Sequence, residues 1–274
     1  MASSRTPSTR IRLVVFDLAG TTVDYGSRAP AGAFVELFAR YGLTVSEAQA
    51  RAPMGQHKRD HIRSMLSEAA LRAQWRAVRG ADWTAADVEA LFEEFIPLQM
   101  ACLPRYADVI PGVADCLAAL RERGVAVATT TGYNRAMTDL VLGAAAAQGF
   151  VPDGSVSADE VPAGRPAPWM VFACMQRLGV YPPWAVVKVG DTGVDVQEGL
   201  NAGAWSVGVA ATGNLIGMTA SDWAALPAAE RAGRLQTARS TLAEAGAHAV
   251  LDAAAELPAI LADLEARLAR GERP

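Results

Sequence analysis

Residues 11–16 (IRLVVF) form a compact run of apolar and β-branched side chains without alternation, ending at Asp17. Such a run reads as a strand buried on both faces, the kind a parallel sheet requires. Working outward, similar runs recur at Val125–Thr129, Ala185–Val189 and Trp205–Ala210. Helix-like stretches lie between and after them, at Val113–Arg123, Arg135–Gln148, Trp169–Leu178 and Val194–Ala202, with Gly124, Gly149, Gly179 and Gly203 just past their ends as C-terminal caps. The alternation predicts an α/β fold, a Rossmann-like doubly wound parallel sheet. Between Pro30 and about Leu103 the pattern changes to helical stretches alone, at Phe34–Tyr41, His57–Trp75 and Thr84–Cys102, with Pro97 expected to end or kink the last. The chain therefore reads as an α/β core over residues 8–26 and 104–274, with an α-helical cap domain over 27–103 inserted after the first strand. The tail from Thr219 reads as helical, with one edge strand at His248–Leu251.

At 274 residues, 51% of them apolar, the chain can build a sizeable core, and its net charge of −4 speaks against a nucleic-acid partner. Three cysteines without CxxC spacing suggest neither a disulfide framework nor a zinc site. Met1–Arg10 is short and polar, with no apolar stretch of signal-peptide type behind it, and the most apolar run, Val141–Ala147, is far too short to span a bilayer. A cytoplasmic protein without a membrane segment is the expectation. Of the 25 basic residues only Lys58 and Lys188 are lysines. Arginine serves most surface roles of lysine but cannot become a neutral amine nucleophile, so the two that remain deserve a chemical reading.

In an open parallel sheet, ligands bind at the carboxyl ends of the strands. There the sequence places Asp17-Leu18-Ala19-Gly20-Thr21-Thr22, then Thr130-Thr131-Gly132-Tyr133, then Gly190-Asp191-Thr192-Gly193-Val194-Asp195, with Pro162-Ala163-Gly164-Arg165-Pro166 between the last two. This set suits phosphoryl transfer through a carboxylate. Asp17 would attack phosphorus, while the hydroxyl of Thr131, backbone N–H groups such as that of Gly132, and Arg165 neutralise the phosphoryl oxygens. Mg2+ bridging Asp17 and Asp191 would relieve the repulsion between anions, with Asp195 behind it holding the metal's outer partners. A phosphate-sensing or phospho-accepting module without turnover would need a similar acidic cluster, but not a cap that closes over it.

The order DxxGTT, TTG, GRP and GDTxxD resembles the haloacid dehalogenase superfamily from about Arg12 to Gly208, with Arg165 where many members have lysine. Within it, residues 16–29 (FDLAGTTVDYGSRA), 52–61 (APMGQHKRDH), 130–135 (TTGYNR), 161–170 (VPAGRPAPWM) and 188–195 (KVGDTGVD) resemble the phosphonoacetaldehyde hydrolase, or phosphonatase, family. The resemblance implies hydrolysis of a carbon–phosphorus bond, in phosphonate degradation, through an aspartyl phosphate on Asp17 and a Schiff base on Lys58, the lysine of the family's PMGxxK sequence. It also implies Met54 and Gly55 lining the substrate cavity, Tyr133 beside it, the backbone carbonyl of Ala19 as a metal ligand, and a homodimer. Where this family has cysteine the chain has Ser27, so no role for that thiol transfers.

Members that cleave P–O bonds carry a general-acid aspartate two residues after the nucleophile, where this chain has Ala19. That speaks against the alternative of a Mg2+-dependent phosphatase on a small ester. Breaking a C–P bond needs an electron sink instead, and an amine condensed with the neighbouring aldehyde provides one. His61, one helical turn from Lys58, would shuttle protons or orient water.

Overall fold

The computed structural model describes residues 9–274; the part of the polar start up to residue 8, and with it the first residue of the expected core segment, lies outside the described residues. Leu13–Phe16 forms β1, and its side chains divide between two cores: Val14 and Phe16 join one apolar cluster, Leu13 and Val15 another. This two-sided burial is what the unbroken apolar run demanded. With β2 (Ala126–Thr131), β3 (Gly154–Ser157), β4 (Val186–Gly190), β5 (Trp205–Val209) and β6 (Ala249–Leu251) it forms one sheet of order β3-β2-β1-β4-β5-β6, every pairing parallel. Strand order reverses at β1, so the crevice beyond the carboxyl ends of β1 and β4 is the natural ligand site. β3 escaped the sequence reading because Gly-Ser-Val-Ser has one apolar residue and no run to recognise.

Between β1 and β2 the cap contributes α1 (Arg28–Arg40), α2 (Glu47–Arg51), α3 (Lys58–Ser67), α4 (Ala69–Arg79) and α5 (Ala85–Cys102). α1 begins six residues earlier than Phe34 because Pro30 falls in its first turn, where a missing N–H breaks no helical bond. The stretch expected as one helix from His57 to Trp75 is two. Glu68 takes an extended backbone at φ −66°, ψ 134°, and its carboxylate caps α4 by accepting from the N–H groups of Ala70 and Leu71. Pro97 does not end α5, which continues to Cys102; the helix packs against both α1 and α3, and that burial holds it despite one lost backbone bond.

The core helices are α6 (Val113–Glu122), α7 (Arg135–Ala146), α8 (Trp169–Leu178) and α9 (Gly193–Asn201), followed by α10 (Ala220–Ala225), α11 (Ala228–Glu244) and α12 (Leu257–Ala269). Gly124, Gly149, Gly179 and Gly203, expected as caps, all have φ between +63° and +87°. The expected edge strand is β6. Among the described residues no helix is long and apolar enough to cross a membrane.

Candidate active site

Asp17 leaves β1 with its N–H still bonded to Val189 O of β4 at 2.8 Å, which fixes the carboxylate at the crevice. The chain then makes a tight turn in which the N–H groups of Thr21, Thr22 and Val23 all donate to Leu18 O. Gly20, at φ +87°, is obligatory here: a Cβ would lie 2.3 Å from Asp191 Oδ2. Asp191, just past β4, accepts from Asn214 N at 2.7 Å and from the Thr21 hydroxyl at 3.4 Å. One oxygen each from Asp17, Asp191 and Asp195 lies within 4.8 Å of the others.

Arg165 binds these carboxylates together from below. Its Nη2 donates to Asp17 Oδ1 at 2.8 Å and to Thr130 O at 2.6 Å, Nη1 to Asp195 Oδ1 at 2.9 Å, and Nε to Glu198 Oε2 at 2.9 Å. The guanidinium, expected as a phosphate clamp, thus lines the cavity but spends most of its donors on the protein. Lys188 is buried beside it, 2.8 Å from Asp195 Oδ1 and 3.5 Å from Glu198 Oε2. Asp195 also caps α9 and accepts from the Thr192 hydroxyl, so donors on the protein satisfy both its oxygens. Glu198 was missed in the sequence. The available signal was its place three residues after Asp195, on the same face of α9.

The cap delivers Lys58 from the opposite side. Only 5% exposed, it stands at the first position of α3, with Nζ 5.3 Å from the ring centre of Tyr133 and 5.8 Å from that of Phe34. Burial pushes its ammonium pKa down to about 8, Arg165 adding to the effect while Asp17 opposes it. His61 Nε2 lies 2.9 Å from Ala50 O, so that nitrogen carries the hydrogen; Nδ1 is buried with no partner, and the ring stacks on Phe34. Burial, reinforced by Lys58, keeps His61 neutral with a pKa well below the usual range. His57, at the start of the expected helical stretch, caps α3 through Nδ1, which accepts from Arg59 N, and is partly buried.

Cap and core meet closely. Gly55 has φ +89°, and a Cβ there would sit 2.5 Å from Thr192 Oγ1 and 2.6 Å from Val194 Cγ2; one on Gly132 would sit 2.6 Å from Gln56 O. Asp17, Ala19, Met54, Gly55, Lys58, Thr131, Gly132, Tyr133, Arg165 and Asp191, all expected from the sequence, line one cavity between cap and core, and His61, Asp195 and Lys188 lie outside its lining. Gly55→Ala should therefore hold the cap off the core and cut turnover about 10- to 100-fold while the melting temperature stays within a few degrees, read by steady-state kinetics and calorimetry.

Four buried acidic side chains, Asp17, Asp191, Asp195 and Glu198, surround two buried basic ones, Arg165 and Lys188. Burial, then the charges of Asp17 and Asp195, push the Asp191 carboxyl well above the usual carboxylate range; burial also raises Asp17, against the pull of Arg165. Asp195 is held low: Arg165 and Lys188 outweigh its burial. Acidic oxygens crowded together in a buried pocket, each raising its neighbour, make the environment a hard divalent cation fits.

Residues 11–203 match the haloacid dehalogenase-like hydrolase family. The chain is 44% identical to the phosphonoacetaldehyde hydrolase of Paraburkholderia phytofirmans, over 96% of this chain and 99% of that protein. It belongs to the phosphonoacetaldehyde hydrolase family. The Bacillus cereus member is 41% identical over 93% of this chain and 97% of that one. A solved structure of a phosphonoacetaldehyde hydrolase like protein from Oleispira antarctica superposes with a TM-score of 0.96 at 37% identity, covering all of both chains. A β-phosphoglucomutase-like structure from Bacteroides vulgatus, at TM-score 0.67 and 18% identity, shares the fold alone. The chain is thus a haloacid dehalogenase-type hydrolase with a helical cap and a buried acidic triad able to take a metal.

Proposed function

We propose that the chain hydrolyses phosphonoacetaldehyde to acetaldehyde and phosphate. One juxtaposition carries this reading: a buried lysine with a lowered pKa shares its cavity with a buried aspartate, and Ala19 stands where an ester-cleaving enzyme needs an acid. Neutral Lys58 attacks the aldehyde carbon, and the carbinolamine takes up one proton from solvent and loses water to give a cationic imine. Asp17, with Oδ1 held by Arg165, attacks phosphorus through its other oxygen. The C–P bond breaks and its electron pair passes to the carbon, giving an enamine on Lys58. Protonation of that carbon and addition of water release acetaldehyde, and a second water returns Asp17 and phosphate. The unpartnered Nδ1 of His61, next to the lysine's aromatic enclosure, is the proton acceptor we assign to the amine. Thr131 and Gly132 bind phosphoryl oxygens, and Met54, Gly55 and Tyr133 exclude water around the aldehyde.

Asp17, the carbonyl of Ala19 and Asp191 would hold Mg2+, which supplies positive charge against the phosphoryl oxygens, with Asp195 supporting it. In this reading the cap comprises residues 27–103, and the enzyme works in the cytoplasm as a homodimer.

Acetaldehyde release from phosphonoacetaldehyde with Mg2+ tests the proposal, and its pH profile sharpens the test. Only the neutral amine attacks, and Lys58 loses its proton at about 8. kcat/KM should therefore fall tenfold for each pH unit below 8 and level off above it. No acetaldehyde from folded protein, or a profile flat from pH 6 to 9, defeats the imine route.

A further inference from the structure

Arg51 ends α2 in the cap, yet its guanidinium reaches across to the core side of the cleft. Nη1 donates to Gly26 O at 2.8 Å, Ser27 O at 3.1 Å and Asn214 Oδ1 at 3.3 Å, and Nη2 donates to Gly217 O at 3.0 Å. Asn214 answers with a bond from Nδ2 to Arg51 O at 3.2 Å. The side chain is 13% exposed, and its nearest carboxylate, Glu47, lies 4.0 Å from Nε and is itself largely exposed. The guanidinium is therefore used as a fork of donors on carbonyl oxygens rather than as an ion pair.

The segment it grips continues to the reacting carboxylates. Asn214 N is the 2.7 Å donor to Asp191 Oδ2, and the Thr212 hydroxyl donates to Gly20 O at 2.8 Å. The segment is pressed against both partners. A Cβ on Gly213 would lie 2.4 Å from Asp191 Cβ, and one on Gly217, at φ +67°, would lie 2.8 Å from the guanidinium carbon. We infer that Arg51 is a positioning residue, a latch that makes closure of the cap and placement of the Asp191 carboxylate a single event. Asp17 and Lys58 are only 6% and 5% exposed, so substrate enters only when cap and core part. Parting them pulls Arg51 off Asn214 and Gly217 and frees the loop that fixes Asp191. The role of Asp191 in this inference rests on the proposed function; the latch rests on the contacts alone.

The test uses Arg51→Gln, Asn214→Ala and the double variant of the full chain. Trinitrobenzenesulfonate labelling at pH 8, resolved by peptide mass spectrometry, reads cap opening at Lys58, with the fully buried Lys188 as internal control. Mn2+ affinity, measured without substrate by paramagnetic resonance, reads Asp191. Each single variant should label Lys58 about tenfold faster and bind Mn2+ about tenfold more weakly, and the double variant should do little more than either single, as one shared link requires. Unchanged Lys58 labelling, unchanged Mn2+ affinity or effects that multiply would overturn the latch, as would equal acceleration at Lys188, which would make Arg51 a support of the whole fold. Should Arg51→Gln not fold, Asn214→Ala decides alone. A wild type that neither binds Mn2+ nor releases acetaldehyde defeats the functional reading, while Lys58 labelling in the same samples still judges the cap contact.

Discussion

Lys58→Met should release no acetaldehyde from phosphonoacetaldehyde and yet be more stable to unfolding than the wild type at pH 7. The loss follows because methionine has no amine to condense with the aldehyde, so electrons from the C–P bond have no sink. The gain follows from burial. The ammonium pKa falls from an ordinary 10.5 to about 8 in the folded chain, so the fold disfavours the protonated form by roughly 3 kcal/mol. Methionine of similar length removes that penalty and forfeits the cation–π contacts with Phe34 and Tyr133, worth about 1 kcal/mol, leaving a net gain of about 2 kcal/mol. The sign is specific. Below pH 8 lysine is protonated in both states and the folded wild type bears the full cost; between 8 and 10.5 the cost shrinks as the folded amine loses its proton first; above 10.5 it is gone. Urea unfolding of both proteins at pH 7 and pH 10 should show the difference close as pH rises. A Lys58→Met protein less stable than wild type at pH 7 would mean that the lysine serves the fold, and retained acetaldehyde release would remove it from the reaction.

The parts of this site that were legible in the sequence have strong local signatures. Asp17 follows an apolar strand that can only be central, and Asp191 follows another, so the sheet rule alone brings them together. Lys58 stood out because arginine has replaced lysine nearly everywhere else, a substitution that chemistry forbids at an amine nucleophile. The elements that were not legible depend on tertiary packing. β3 has no apolar run and is a strand only because β2 offers it an edge. Pro97 sits inside α5 because packing outweighs propensity there. Glu198 and Arg51 are charged residues that local pattern assigns to solvent; what recruits them is a partner more than thirty positions away, Arg165 for one and the 214–217 loop for the other. For the same reason the loop around Arg165 suggested a phosphate contact but not the carboxylates that also hold it.

Asp17→Asn should separate the two halves of the reaction. The amide keeps an oxygen able to accept from Arg165 Nη2, so the site loses its nucleophile with little change of shape. Phosphate release should fall about a thousandfold or more, the scale on which removing an essential nucleophile acts. Imine formation requires only the amine and the aldehyde, so borohydride added with phosphonoacetaldehyde should still fix the two-carbon phosphonate to Lys58, seen as a mass increase on its peptide. The variant should also trap at lower pH than the wild type. The charge of Asp17 favours protonated Lys58, and once it is gone burial and Arg165 act unopposed by that neighbour, so more of the amine is neutral at a given pH. If Asp17→Asn traps no imine, the carboxylate is needed before the C–P bond is touched, and the order of steps must be reversed. If it still releases phosphate within tenfold of wild type, another group attacks phosphorus. A trapped imine without phosphate would leave one role for each residue: Lys58 holds the carbon end of the substrate, and Asp17 takes the phosphorus.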